Sequence, residues 1–448
     1  MLDRPNHSRA FRLRRFANWF TLGLTYATFY MGRYNLNVVK DKVEHDFFHG
    51  SQTEFGLIGL CGFWTYAISE LVNGPLIAER IGGRKSILLG AAGGALFNFS
   101  IGMLFLGAWT TKLLVGMSLL YSCNMFFQSF GAMSMVKVNA PWFHVNERGV
   151  FGGVFGIMIS LGYLLAFGVS GFILKHDAIP WYFVFLAPSI AMGIMFVISF
   201  FVVRDHPEDT GHSSFATGDA SDGDHSPVTF SYIVENVFKH PVLLTLVGAE
   251  FCTGFVRQGL LFFFAKWLGQ VHHIAPGTTW FNVASVGITV GGIVGGLIAG
   301  FLSDHVFQAR RPPVALIYYG LQVVSVLVMT ELAGPHLAAI MVGVNCAWIF
   351  GVHGMLTGTA SMDFGGRKGA ATAAGMLDGI QYVASGITSV VIGYAVDHYG
   401  WGAWPWAIAP FSLVGGALML RVWNVKPQPK TVVPAAAAAP QLEPGATA

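Results

Sequence analysis

Twelve stretches of this 448-residue chain are each long and apolar enough to cross roughly 30 Å of hydrocarbon as a helix, and no other feature constrains its fold as much. They lie near residues 16–39, 54–78, 86–109, 112–136, 149–174 and 180–203, then near 240–267, 278–303, 313–332, 336–361, 369–396 and 401–423. In lipid every backbone N–H and C=O must find an internal partner, so stretches of this length fold as helices. The expectation is an all-α membrane protein of twelve transmembrane helices, arranged as two pseudo-symmetric six-helix bundles. The bundles cover 1–203 and 240–424, joined by a hydrophilic linker at 204–239 and followed by a tail at 425–448. The linker holds HPEDTGHSSFATGDASDGDHSPV, which has no apolar period, and the tail is low in complexity.

Composition narrows the function. Charged residues are 11% of the chain and hydrophobic ones 54%, whereas soluble domains carry about 25% charged residues. A net charge of +3 is too small for nucleic acid. Cys61, Cys123, Cys252 and Cys346 all fall in apolar segments without metal-ligand spacing, so no metal site or disulfide framework is expected. No glycine-rich phosphate loop, catalytic triad or HExxH pattern is present, which argues against an enzyme or a resident cofactor. The N-terminus starts basic, as a signal peptide would, but its apolar run is too long and lacks a small-residue cleavage pattern. It reads as a retained first helix. Of the 26 Lys and Arg residues, only Lys40, Lys42, Lys112, Lys175 and Lys266 fall in loops on the side opposite the termini. Arg33 and Arg257 lie within spans, and all the others fall on the terminus side. By the positive-inside bias, both termini and the linker are expected in the cytoplasm.

Arg33 breaks an otherwise uncharged stretch from Phe16 to Val39. An arginine at the centre of a membrane helix costs roughly 2.5–3.5 kcal/mol on insertion scales. Tyr26, Tyr30, Arg33 and Asn37 follow at spacings of 4, 3 and 4, one stripe of a helix. That stripe suits a polar cavity better than lipid. Span 7 repeats the theme, with Glu250 and Arg257 seven apart on one face. Two plainer readings compete: snorkelling of the guanidinium to the interface, and a buried ion pair with Glu70 or Glu250. The symmetric placement of two arginines argues against both.

The symmetry extends further. PLIAERIGGRK (75–85) follows span 2 and GFLSDHVFQARR (300–311) follows span 8. Glu79 and Asp304 each sit at a helix end before a basic cluster, which in the first loop includes Arg80 and Arg84. Arg33 precedes Glu79 by 46 positions and Arg257 precedes Asp304 by 47. Six spans plus six, a central linker and these loops resemble the major facilitator superfamily, whose halves rock about a central site. Pro75 and Glu79 stand where its loop pattern has Gly and Asp. The resemblance implies that Glu79, Arg80, Arg84 and Asp304 belong to gating loops. It also places spans 5 and 8 together, where Gly287, Gly291 and Gly295, with Gly292, Gly296 and Gly300 one step round, would allow close approach.

Two guanidiniums in one low-dielectric cavity suit a dianion, because each presents a planar fork matched to phosphate or carboxylate oxygens. A monoanion would leave one positive charge uncompensated. Phosphate, phosphate esters, dicarboxylates and sulfate all fit. The segments YMGRYNLNV, FVRQGLLFFFAKW and RKGAATAAG with GYAVDHYGW resemble the organophosphate:phosphate antiporters, which include glycerol-3-phosphate and hexose-phosphate transporters. The resemblance runs across all twelve spans and is strongest in spans 1, 7 and 11. It implies that Arg33 and Arg257 are paired phosphate-binding arginines and that Tyr382 is a site tyrosine. RGVFGGVFGIMISLGY departs from the family pattern, with Ile159 in place of a histidine that helps bind glycerol-3-phosphate and Ser160 in place of an asparagine. The clamp is kept, and the organic half of the substrate is left open.

Other polar residues share faces within spans: Tyr66, Glu70 and Asn73; Asn124 and Gln128; Asp378, Gln381, Tyr382 and Ser385. Amides and hydroxyls in such places commonly bond helix to helix, and His353 reads as a satisfied core histidine. Glu70, Glu250 and Asp378 carry three readings: proton coupling, counter-charge to the arginines, or contact with an amine or hydroxyl of the substrate. The expected protein is a monomeric inner-membrane transporter. It exchanges a phosphorylated small organic anion, of glycerol-3-phosphate or sugar-phosphate type, for inorganic phosphate by alternating access. Arg33, Arg257, Tyr26, Tyr30, Asn37, Tyr382, Asp378 and Gln381 would bind substrate. The alternatives are a proton-coupled organic-anion symporter and a transporter-like phosphate-ester sensor; the dianion clamp argues against a multidrug exporter.

Overall fold

The computed structural model describes residues 7–73, 77–106, 113–143, 148–215, 239–308 and 310–425; for 79, 148–155, 304, 358–372 and 374 it describes the backbone alone. The middle of the expected linker and nearly all of the expected tail therefore lie outside the described residues. Every regular element among them is helical. In chain order the longer helices are α1 (Arg9–Tyr34), α2 (Leu36–Phe47), α3 (Gln52–Asn73), α4 (Gly83–Leu106), α5 (Leu113–Gln128), α6 (Phe130–Asn139), α7 (Arg148–Lys175) and α8 (Phe183–Val202). The second half holds α9 (Pro241–Leu261), α10 (Phe264–His272), α11 (Thr279–Phe301), α12 (Arg311–Leu327), α13 (Pro335–His353), α14 (Ser361–Tyr399) and α15 (Ala403–Arg421).

Ten helical segments are long and apolar enough to cross a bilayer, and the bent pair α9–α10 makes eleven. The remaining expected span is α1–α2. Its hydropathy is low because its buried face carries Thr25, Tyr26, Thr28, Tyr30, Arg33 and Tyr34.

Both arginine-bearing spans are broken. Asn35 joins α1 to α2; its Oδ1 accepts from the Leu36 N–H at 2.8 Å, and its Nδ2 donates to Asn98 Oδ1 and the Val184 carbonyl, each at 3.1 Å. The carbonyls of Gly32 and Arg33 just before the break accept from Asn124 Nδ2 (3.1 Å) and the Tyr121 hydroxyl (3.0 Å). Side chains inserted into the helix ladder are a recognised cause of such breaks. The α9–α10 pair bends by 43° at Phe262–Phe263, about a turn beyond Arg257. The sequence repeat is thus also a repeat of helix breaks.

The two halves meet along α3 against α14 and α7 against α11. At the end opposite the termini they are clasped. The Asp397 carboxylate of α14 accepts from the N–H groups of Gln52 (2.9 Å) and Thr53 (2.8 Å) and from the Thr53 hydroxyl (2.7 Å). It thereby satisfies orphan donors at the start of α3 from across the interface, the work of an N-cap. Glu44 of α2 ion-pairs with Lys266 of α10 and lies 3.6 Å from Lys40, while Gln270 donates to Asp41 at 2.7 Å. These partners belong to opposite halves, apart from Lys40.

Toward the terminus end the halves part. A Cβ built on Gly393, Gly386, Gly379 and Gly375, one face of α14, gauges the gap. It would come 2.6 Å from the Gln52 carbonyl, 2.5 Å from the Trp64 ring and 3.8 Å from the Ala67 carbonyl, and at Gly375 within 4 Å of nothing among the described residues. Between α7 and α11 the same holds. Thr289 donates to the Ser160 carbonyl at 3.0 Å, whereas a Cβ on Gly296 or Gly300 would find no neighbour within 4 Å among the described residues. The glycine pattern corrects one expectation. Gly287, Gly291 and Gly295 do not meet span 5; they pack on Gly343 and Ala347 of α13, inside the second half. A Cβ on Gly292 would come 3.0 Å from the Phe350 ring of α13 and 3.5 Å from the Ser160 hydroxyl of α7, so this glycine also faces the other half.

Candidate functional site: a buried two-arginine clamp

Arg33 is fully buried and closely held. Its Nε donates to Gln128 Oε1 at 3.2 Å and its Nη1 to the Tyr382 hydroxyl at 2.6 Å. The guanidinium lies 4.2 Å from the centre of the Tyr66 ring and 4.8 Å from that of Tyr30, a desolvated cation–π arrangement contributing on the order of 2 kcal/mol. Gln128 is itself fixed, since its Nε2 donates to Asn124 Oδ1 (2.9 Å), which also accepts from Asn98 (2.9 Å). An amide chain from Asn35 to Gln128 thus aims the arginine and stabilises the break beneath it.

Arg257 comes from the other half and is also buried. It stands 5.0 Å from the centre of the Tyr382 ring, which is 5.7 Å from Arg33. One tyrosine is thus shared by both guanidiniums. Nη2 of Arg33 and Nε and Nη2 of Arg257 are buried without a hydrogen-bond partner, as are the hydroxyls of Tyr34, Tyr66 and Tyr163. Among the described residues neither guanidinium has a carboxylate partner. The two guanidiniums lie 5.7 Å and 5.0 Å from one ring centre, and like charges on the order of 10 Å apart at an effective dielectric of about 20 repel by roughly 1.5–2 kcal/mol, or more when nearer. A buried cluster of unused N–H and O–H donors around two buried cations has the chemistry to receive an anion.

The other expected site residues sort into three groups. Tyr30 stacks under Arg33, and Tyr26 packs beside it at 5.3 Å between ring centres. Asn37 does not point to the clamp: its Nδ2 donates to the Leu261 carbonyl at 2.9 Å and ties α2 to the end of α9. Glu250 does not neutralise Arg257. Its carboxylate accepts from Thr357 and Gln381, each at 3.1 Å, and lies 3.5 Å from His353 Nδ1, which is 2.9 Å from the Gln381 amide. Gln381 is therefore engaged with Glu250, and His353 is indeed a satisfied residue. Glu70 of α3 and Asp378 of α14 bring their carboxyl groups together across the halves.

Arg84 belongs to the terminus-side loop, where its N–H is held by Asp205 (2.8 Å) and its guanidinium by the Phe200 carbonyl (2.6 Å). Arg80 is exposed. The side chains of Glu79 and Asp304 lie outside the described residues. The sequence reading missed Tyr34, which stacks on Tyr30, and Tyr163, which meets Tyr30 edge to face, and the Glu44–Lys266 pair. A signal existed for the pair, because Lys40 and Glu44 stand at helical i,i+4 spacing.

Two mirrored helical halves around a buried polar centre define a transporter fold, not an enzyme. The chain belongs to the Major Facilitator Superfamily, whose model matches residues 22–387. It is 23% identical over 444 residues to the glycerol-3-phosphate transporter of Bacillus subtilis, covering 94% of this chain and 95% of that one. It is 22% identical over 397 residues to a probable hexose phosphate transport protein of Chlamydia pneumoniae, covering 83% of each. The resemblance read in the motifs of spans 1, 7 and 11 thus extends over nearly the whole chain. Among solved structures, that of a D-xylose-proton symporter superposes with a TM-score of 0.71 at 14% identity, covering 92% of this chain and 98% of that chain. This last likeness concerns the fold alone.

Proposed function

We propose that the protein exchanges a phosphorylated small organic anion for inorganic phosphate by alternating access. One observation carries the reading: two buried arginines from opposite halves share Tyr382 and leave three guanidinium nitrogens without protein partners. The relatives named for glycerol-3-phosphate and hexose phosphate support the substrate class. An empty site leaves the two cations repelling one another, and a bound dianion neutralises both and draws the halves together. Only a ligand that binds the closed form better can drive that closure, so reorientation without a dianion is slow and exchange is obligatory.

The Lys/Arg bias supports an inner-membrane location with both termini in the cytoplasm. In that orientation, the clasp at Asp397 and Glu44 closes the outer end, and the gap along Gly375 and Gly296 is the cytoplasmic entrance. The bundles 1–203 and 240–424 are the moving bodies, and one chain contains the whole site.

The test is efflux of labelled phosphate from proteoliposomes carrying the purified protein. Efflux should require external phosphate or phosphate ester. Efflux equally fast into plain buffer would sink the exchange mechanism. Uptake driven by a pH gradient alone would favour a proton symporter, and ligand binding without flux would favour a sensor.

A further inference from the structure

The clamp has an acidic floor. Glu70 stands one turn from Tyr66, whose ring faces Arg33, and Asp378 stands one turn from Tyr382, which bonds Arg33. Four residues of helix rise about 6 Å, so Glu70 and Asp378 stand one turn to the terminus side of the two tyrosines that contact Arg33. They come from opposite halves and lie within hydrogen-bonding reach of each other. As carboxylates, neither offers a donor to the other. Glu70 is 7% exposed, and its Oε2 is buried without a partner. No ion pair involves either residue among the described residues, and the neighbouring carboxylate of Glu250 is already engaged by Thr357, Gln381 and His353. The cavity is therefore dipolar, with two cations that have unpartnered nitrogens in one layer and, in the next, a pair of acids in which Glu70 Oε2 has no partner. Burying like charges together without a partner is costly, and a ligand group with N–H or O–H donors would relieve that cost.

Resting on the antiport reading, we infer that the site is built for a zwitterionic phosphate ester or phosphonate, its phosphoryl group held by Arg33 and Arg257 and an ammonium group on a two- or three-atom stem held between Glu70 and Asp378. Such a ligand matches the dipole in both sign and span. Its ammonium compensates one of the two carboxylate charges and offers N–H donors to both, and the ligand links the halves at two levels. An uncharged polyol tail would offer the acids hydroxyl donors but no positive charge, and would leave both carboxylate charges uncompensated.

The experiment compares O-phosphoethanolamine with ethyl phosphate, which keeps the phosphoryl head and the carbon stem but lacks the amine. Two readouts are taken on the full-length protein: thermal stabilisation in detergent, and competition against labelled phosphate in phosphate-loaded proteoliposomes. The amine compound should bind at least about tenfold more tightly, the size of one charge-assisted hydrogen bond. In Glu70→Gln and Asp378→Asn the ratio between the two compounds should fall to near one. Both substitutions keep side-chain size, and the melting temperature without ligand identifies a variant that fails to fold. Equal affinity of the two compounds for the wild type overturns the inference, as does an amine preference that survives both substitutions. The binding readout does not depend on exchange. An amine preference without phosphate exchange would sink the antiport reading and leave the zwitterion site standing; exchange without amine preference would do the reverse.

Discussion

Arg33 and Arg257 occupy matching places in matching repeats, yet the protein treats them differently. Arg33 is bonded to Gln128 and Tyr382, stacked between Tyr30 and Tyr66, and backed by an amide chain running to Asn35. Arg257 has the Tyr382 ring beside it and two nitrogens without partners. One half of the clamp is assembled before ligand arrives, and the other is completed by it. Sequence symmetry set the two charges, but the packing around them is not symmetric. A fixed cation gives direction to binding, while a free one can follow the ligand as the halves rock.

The largest expected effect falls on exchange itself. Replacing either arginine by alanine should lower phosphate exchange by at least about a hundredfold, since each removes two or more charge-assisted bonds to the dianion. Residual exchange above a tenth of wild type in Arg257→Ala would break the clamp reading.

Stability should then separate the pair. Arg33→Ala strands Gln128 and Tyr382 and should cost about 1–3 kcal/mol, read as a lower melting temperature in detergent. Arg257→Ala should be neutral or slightly stabilising, because it relieves the repulsion and leaves no bonded partner stranded. Equal losses in the two variants would erase the contrast.

Tyr382→Phe sharpens it further. The substitution removes the hydroxyl that Arg33 uses and keeps the ring beside Arg257. Phosphate affinity should fall about tenfold, with the Arg257→Lys variant affected no less when combined with it than when alone.

The smallest effect concerns the clasp. Asp397→Asn weakens the cap on α3 and should shift the balance of open and closed ends by about 1 kcal/mol. A cysteine at Gly375, on the terminus side of the α3–α14 gap, should then react more slowly with a membrane-impermeant thiol reagent applied from that side. Unchanged or faster labelling would show that the clasp does not hold this state.

Much of this was legible in the chain. Hydropathy located the spans because lipid tolerates only internally bonded helices. Helical spacing placed Tyr26, Tyr30 and Arg33 on one face, and the intervals from Arg33 to Glu79 and from Arg257 to Asp304 exposed the repeat. The motifs of spans 1, 7 and 11 pointed to the relatives that comparison found. The errors share one cause. Asn37 lay on the right stripe but beyond the break at Asn35, so its amide turned to Leu261. Glu250 lay on the same face as Arg257, and its nearest partners came from α13, α14 and the segment between them. The glycines of α11 were small for close approach, but to α13 for one stripe and to α7 for the other.

The sequence by itself determined the membrane class, the number of polar faces, the two arginines and the duplicated plan, because these follow from the cost of burying charge and from helical period. Only the tertiary structure decided that Tyr382 is shared, that Arg33 is braced and Arg257 is not, that Glu70 meets Asp378, and that Lys266 crosses to Glu44 instead of standing in a loop. A period states which side of a helix is polar. Which helix that side meets depends on contacts hundreds of residues apart, and those exist only once the two halves have packed.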